Sequence, residues 1–179
     1  MSRKLLITIH MYLAAFFAPA VLLVAISGGL YLAGVKGNVV QETIYSSNEI
    51  SIDSKSTSLH DDVAALLVSA GVKSYNFEYV KVSGATLYTR PTSSDHYLIE
   101  RTDEGVDVIR VQPNLQSRMI ELHKGHGPAA FKTFQKAFAV GLTFIILSGL
   151  WLGISAARLR RSTLLTAAAG TTLFVLLLL

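Results

Sequence analysis

Two apolar runs, Leu5 to Leu32 and Phe134 to Ala157, stand on either side of a long and mostly polar middle region. A helix needs about 20 apolar residues to cross a hydrocarbon core about 30 Å thick, and both runs meet that length. Inside lipid the backbone must satisfy its own hydrogen bonds, so each run is expected to be a helix. A third run, Leu164 to Leu179, is just long enough to do the same. The chain therefore reads as a membrane protein that carries a domain outside the bilayer.

Charge gives the direction of crossing. Charged residues make up 16% of the chain, below the roughly 25% usual for soluble domains. All 12 acidic residues lie between Glu42 and Glu121, whereas the ends are basic through Arg3, Lys4, Arg158, Arg160 and Arg161. Lys and Arg next to short loops favour the cytoplasm, which puts the N-terminus and the Arg158 to Arg161 loop inside and the middle region outside. Such an asymmetry is a topology signal and speaks against nucleic acid as a partner. Arg3-Lys4 followed by Ala18-Pro19-Ala20 also has the outline of a cleavable signal peptide, but the apolar run continues well past Ala20, as expected of an uncleaved anchor. The expected organisation is a first transmembrane helix over 1–35, an exported domain over 36–127, a second helix with its basic loop over 128–161, and a third helix over 162–179.

Within the middle region, 36–57 is polar and Ser-rich and reads as a connector with one short strand. Ser58 and Asp61 then have the spacing of an N-terminal capping arrangement, and Val63, Leu66, Leu67 and Ala70 recur on one helical face. Gly71 suits a left-handed stop. Four segments rich in β-branched and aromatic residues follow, Tyr75 to Val82, Ala85 to Arg90, His96 to Arg101 and Val106 to Val111. Turn residues separate them, the last turn being Asp103-Glu104-Gly105. Tyr75, Phe77 and Tyr79 alternate on one face, and the change of parity at Val80 predicts a bulge or twist. Pro113 to Leu122 is expected to return to the membrane as a short helix. The fold class is α+β: a helix packed on an antiparallel sheet, exported and anchored by three transmembrane helices.

No phosphate loop, nucleophile elbow or H-E-x-x-H spacing occurs. There is no cysteine, which excludes disulfides and Cys-ligated zinc or iron–sulfur clusters. Histidine is the one strong nitrogen ligand left. His60 and His96 are expected to face solvent. His10 lies in the first apolar run and is either an interfacial residue with its ring among headgroups or an axial ligand to a heme between helices. His123 and His126, in Leu122-His123-Lys124-Gly125-His126-Gly127-Pro128, are either part of a polar hinge or a pair on one helical face beside the membrane, where ferric iron could be met.

His10 and the His123/His126 pair belong to opposite ends of the bilayer, since an ideal helix climbs about 33 Å from His10 to Leu32. They cannot share one heme. Each site would take its second ligand from the same residue of a second copy, which a twofold homodimer supplies by symmetry. Gly28, Gly29 and Gly34 in the first helix and Gly141, Ser148, Gly149 and Gly153 in the second permit close helix approach, within one chain or between copies.

The pattern resembles the PepSY-associated transmembrane family. In that family a histidine near the start of the first helix is followed by a proline and a Thr/Ser-Gly phrase, matched here by His10, Pro19 and Ser27-Gly28. A Leu-His-x-Gly motif precedes a later helix that repeats the phrase before an aromatic and basic end, matched by Leu122-His123-Lys124-Gly125, Ser148-Gly149, Trp151 and Arg158. Met11-Tyr12 departs from it, standing where a basic-aromatic pair is common. The segment Ser58 to Val111 resembles one PepSY domain.

The resemblance implies a bacterial inner-membrane protein with a periplasmic PepSY-like domain and heme b, reducing ferric iron or ferric chelates in support of iron uptake. His10, His123 and His126 would be the heme-iron ligands, with His126 as substitute ligand or outer iron contact. The chain has one PepSY unit and three helices where larger members have more, which again implies a homodimer in membrane lipid. The electron donor would be cytoplasmic, a reduced flavin, a flavin reductase or quinol, because no dinucleotide fingerprint is present; a ferrous iron transporter is a further partner by analogy. The alternative is a non-enzymatic membrane-anchored PepSY module that binds or regulates an exported protein, serves a respiratory complex as accessory subunit, or passes a signal across the bilayer.

Overall fold

The computed structural model describes residues 2–73, 75–102 and 105–179. In chain order its elements are α1 (Arg3–Leu32), β1 (Val39–Ser47), α2 (Leu59–Ser69), β2 (Tyr79–Ser83), β3 (Thr86–Arg90), β4 (His96–Arg101), β5 (Val106–Pro113), α3 (Leu115–His123), α4 (Ala129–Ser155) and α5 (Arg160–Leu178). They form two compact units. One comprises Met1–Val21 with Lys136–Leu179, the other Leu22–Gln135.

The second unit is built on an antiparallel sheet in the order β1-β5-β4-β3-β2. Because side chains alternate along a strand, Leu87, Tyr97, Ile99, Val106 and Val108 share one face, and Val63, Leu66 and Leu67 of α2 bury against them. Each such side chain removed from water contributes roughly 1.5–3 kcal/mol, so this layer supplies most of the domain's cohesion. Tyr88, Arg90, His96, Leu98 and Val111 point to the opposite face, under α3. This alternation overturns the expectation that His96 faces solvent: it is 7% exposed. His60 does stand exposed, resting on the Phe77 ring at 4.4 Å.

Several local expectations are refined. The polar connector contains a full nine-residue edge strand, β1, paired along β5. The irregularity in the sheet lies between Thr43 and Tyr45 of β1, not at Val80. The parity change at Val80 arises because the strand begins only at Tyr79, after Phe77 has entered the core. Ser58 does not cap α2 with its side chain, which instead donates to the Asp62 carboxylate at 3.1 Å. Gly71 takes the left-handed stop with φ +83°. Of the anticipated Asp103-Glu104-Gly105 turn, Asp103 and Glu104 lie outside the described residues.

In the first unit, the Phe17 ring lies on Gly141 and 5.6 Å from the Phe138 ring. Thr163 of α5 packs against Gly153 of α4. No residue of α5 is buried. Among the described residues, α1, α4 and α5 are each long and apolar enough to cross a membrane.

Candidate functional site

The position of α3 is fixed from several sides. Asn114 caps its start by accepting from the Ser117 amide at 2.9 Å. The Arg118 guanidinium donates to Asp95 at 2.8 Å, and Thr92 donates to Glu121 at 2.6 Å. At the other end, the Gly125 amide donates to the Leu122 carbonyl and the His126 amide to the Glu121 carbonyl. This bond pair needs a left-handed residue between them, and Gly125 provides it with φ +79°. The helix therefore stops at His123. The i, i+3 face expected for His123 and His126 is not made, and the two imidazoles go to different partners.

His123 Nδ1 lies 3.0 Å from Ser27 Oγ on α1. The Ser27 hydroxyl also donates to the Leu23 carbonyl at 2.6 Å; with its proton there, Ser27 accepts from the His123 ring at Nδ1. Nε2 is then the nitrogen with a free lone pair, and no other described residue bonds to it. Gly28 makes room for the ring, since a Cβ there would come within 3.1 Å of Cε1. A hollow of about 260 Å³ opens at this point, lined by Ser27, Gly28, Tyr31, Ile120, His123 and Lys124.

The same arrangement recurs in the other unit. His10 Nδ1 lies 2.8 Å from Ser148 Oγ on α4, and Ser148 donates to the Ile145 carbonyl at 3.1 Å. The ring is again held at Nδ1, and Nε2 is the nitrogen left open. A Cβ on Gly149 would stand 3.3 Å from His10 Cε1. Ser27 and Ser148 are 0% and 5% exposed, so these hydroxyls are interior groups and not surface decoration. Each Ser-Gly phrase thus receives one imidazole, by a bond at the serine and clearance at the glycine.

His126 Nδ1 sits 2.7 Å from the Glu121 carboxylate, which also accepts from Lys124 at 2.8 Å and has Arg90 at 4.0 Å. Burial alone would raise the Glu121 carboxyl, but the bonds from Lys124, Thr92 and His126 outweigh it and hold the group at about 2, below its ordinary 4.5. A depressed carboxyl stabilises the fold fully above 4.5, and that contribution disappears as pH falls toward 2. Glu121→Gln is therefore expected to lose about 2 kcal/mol of stability at neutral pH. Its deficit against the parent protein in thermal unfolding should shrink steadily between pH 4.5 and 2. A deficit independent of pH over that window would show that the carboxylate is not held by these partners.

His10, His123 and His126 were all legible as candidates; Ser27 and Ser148 were not. Their signal was present in the recurring Ser-Gly phrase, but nothing in the chain says that each serine meets a histidine 96 or 138 positions away. Among the described residues no group of three or more His, Asp or Glu side chains is placed to hold a bare metal ion.

Long apolar helices joined in one chain to a helix-on-sheet domain define the class as a membrane protein with one α+β domain. The profile of the family described as Putative PepSY_TM-like matches residues 54–179, and the chain belongs to this PepSY-associated transmembrane family. No curated protein and no solved structure matches it.

Proposed function

We propose that the protein is a b-type heme protein of the bacterial inner membrane that passes electrons outward to ferric iron or a ferric chelate in the periplasm. One observation supports this reading: each of two serines in long apolar helices holds an imidazole at Nδ1 and leaves Nε2 open. His10 and His123 would hold heme iron through such an open nitrogen, and a hydrogen bond at the remote nitrogen is the usual way of orienting a ligating ring. The donor set fits the group, because the glycine after each serine admits the imidazole ring and a hollow opens beside the ring of His123. When bound, heme would supply one-electron redox chemistry.

The work of the chain is orientation. Ser27 and Ser148 hold the rings in place. His10 serves the site at the cytoplasmic end and His123 the site at the periplasmic end, and a second copy supplies the matching imidazole at each. His126 is held by Glu121 through Nδ1, which leaves its Nε2 open, so it is the substitute ligand or the outer contact for the ferric acceptor. A reduced-minus-oxidised absorption spectrum of the detergent-purified protein tests the reading. Sharp b-type bands that bleach when ferric citrate is added to the reduced protein are expected. A correctly folded, colourless protein would favour a binding module instead.

A further inference from the structure

On the sheet face beneath α3 is a cavity of about 490 Å³, within the range of small-molecule sites. Three fixed cations line it, Lys36, Arg90 and Lys124, against a single carboxylate among the described lining residues, Glu121. That carboxylate is already occupied by Thr92, Lys124 and His126. Glu121 answers Lys124 at 2.8 Å and Arg90 only at 4.0 Å, and the lining keeps a net positive charge. Arg90 sharpens the point: its side chain is 11% exposed, Nη1 donates to Thr92 at 2.8 Å, and its buried Nε has no acceptor. The guanidinium is thus committed to Thr92 and, at 4.0 Å, to Glu121, and carries its positive charge to the cavity wall.

His96, also lining the cavity, adds a second chemistry. Its Nδ1 donates to the Ser94 carbonyl at 2.9 Å, which leaves Nε2 as an acceptor. A ligand suited to these walls offers carboxylates to Arg90, Lys36 and Lys124 and a hydroxyl proton to His96. We infer that this cavity is a binding site for a small hydroxycarboxylate anion of the citrate type, free or holding ferric iron. Tyr31, Ile120 and Lys124 line both this cavity and the hollow at His123. An iron chelate held here would thus lie next to the periplasmic heme site. That acceptor role rests on the proposed function; the anion binding does not.

The test is calorimetric titration of the detergent-solubilised full chain with citrate, ferric citrate, tricarballylate (citrate without its hydroxyl) and inorganic phosphate. Citrate and ferric citrate are expected to bind, tricarballylate at least tenfold more weakly, and phosphate weakly or not at all. Arg90→Gln should weaken citrate at least tenfold, and the exposed Lys36→Gln, which disturbs no core contact, severalfold, while Lys81→Gln on β2 changes nothing. No citrate or ferric citrate binding by the folded protein would overturn the inference, as would binding indifferent to both Arg90→Gln and Lys36→Gln. Phosphate bound as tightly as citrate would also overturn it and point to a headgroup or phosphate site. A colourless preparation that binds citrate would sink the heme reading and leave this site standing; a coloured one that binds neither form would do the reverse.

Discussion

Replacing His123 by alanine is expected to halve the heme content of the purified protein, and replacing His10 to remove the other half. In the proposed reading each imidazole would serve a site of its own, since one is held at Ser27 and the other at Ser148. In a symmetric pair of chains, each substitution deletes both axial ligands of one heme and leaves the other heme complete. The two residual spectra should differ, because the remaining hemes lie in different surroundings. Removing only the support is milder. Ser27→Ala and Ser148→Ala keep the ligand but release Nδ1, so each should weaken retention of its own heme by 10–100-fold, the usual consequence of losing such an outer hydrogen bond. Pyridine hemochrome assay per chain checks the stoichiometry. Full heme in both histidine variants would rule out the ligand assignment even for a coloured protein.

The second large effect is expected where α1 meets α4. A Cβ on Gly141 would fall 2.2 Å from Phe17 Cε2, a distance at which the ring has to leave its place. Phe17 is 6% exposed and backed by Phe138, so it has no free volume to take. Gly141→Ala should then destabilise the helix pair by about 1–3 kcal/mol, the range for overpacked interiors. His10 stands two turns from Phe17, as Ser148 does from Gly141, so the same wedge should stretch the His10–Ser148 bond and selectively loosen the His10 heme. Phe17→Leu in the Gly141→Ala background removes the obstructing ring edge and should recover part of both losses. Thermal unfolding in detergent, followed through heme absorbance, reads the two effects together. Equal stability of Gly141→Ala and the parent would show that this packing is not tight.

The membrane helices and the α2 layer were legible because their signals are local. Apolar length alone gave α1, α4 and α5, although α4 begins earlier than its apolar run, at Ala129 and not Phe134. The early start is held from outside the helix, by the Glu78 carboxylate on the Ala129 amide and on Lys132. Helical spacing of Val63, Leu66 and Leu67 located α2, and β-rich runs between turn residues located β2 to β5. β1 was expected only as one short strand because an edge strand pairs on one side only: from Val39 to Thr43 its residues are exposed, and no apolar alternation marks its full length. His96 was misjudged because its neighbours in sequence are polar loop residues, whereas its neighbours in space are set by the register of β4 on β5, where it stands opposite Val111. The serine clamps were hidden for the same reason. A hydroxyl in an apolar run reads as helix-packing glue, and only the long-range fold reveals which ring it meets.

Low-temperature electron paramagnetic resonance of the oxidised, purified protein tests the central claim most directly, because it reports the atoms bound to iron. Low-spin signals of paired-imidazole type are predicted for two distinct centres, one lost in His10→Ala and the other in His123→Ala. Iron signals of another ligand type, or none in a folded and membrane-extracted sample, would contradict the assignment of these two histidines.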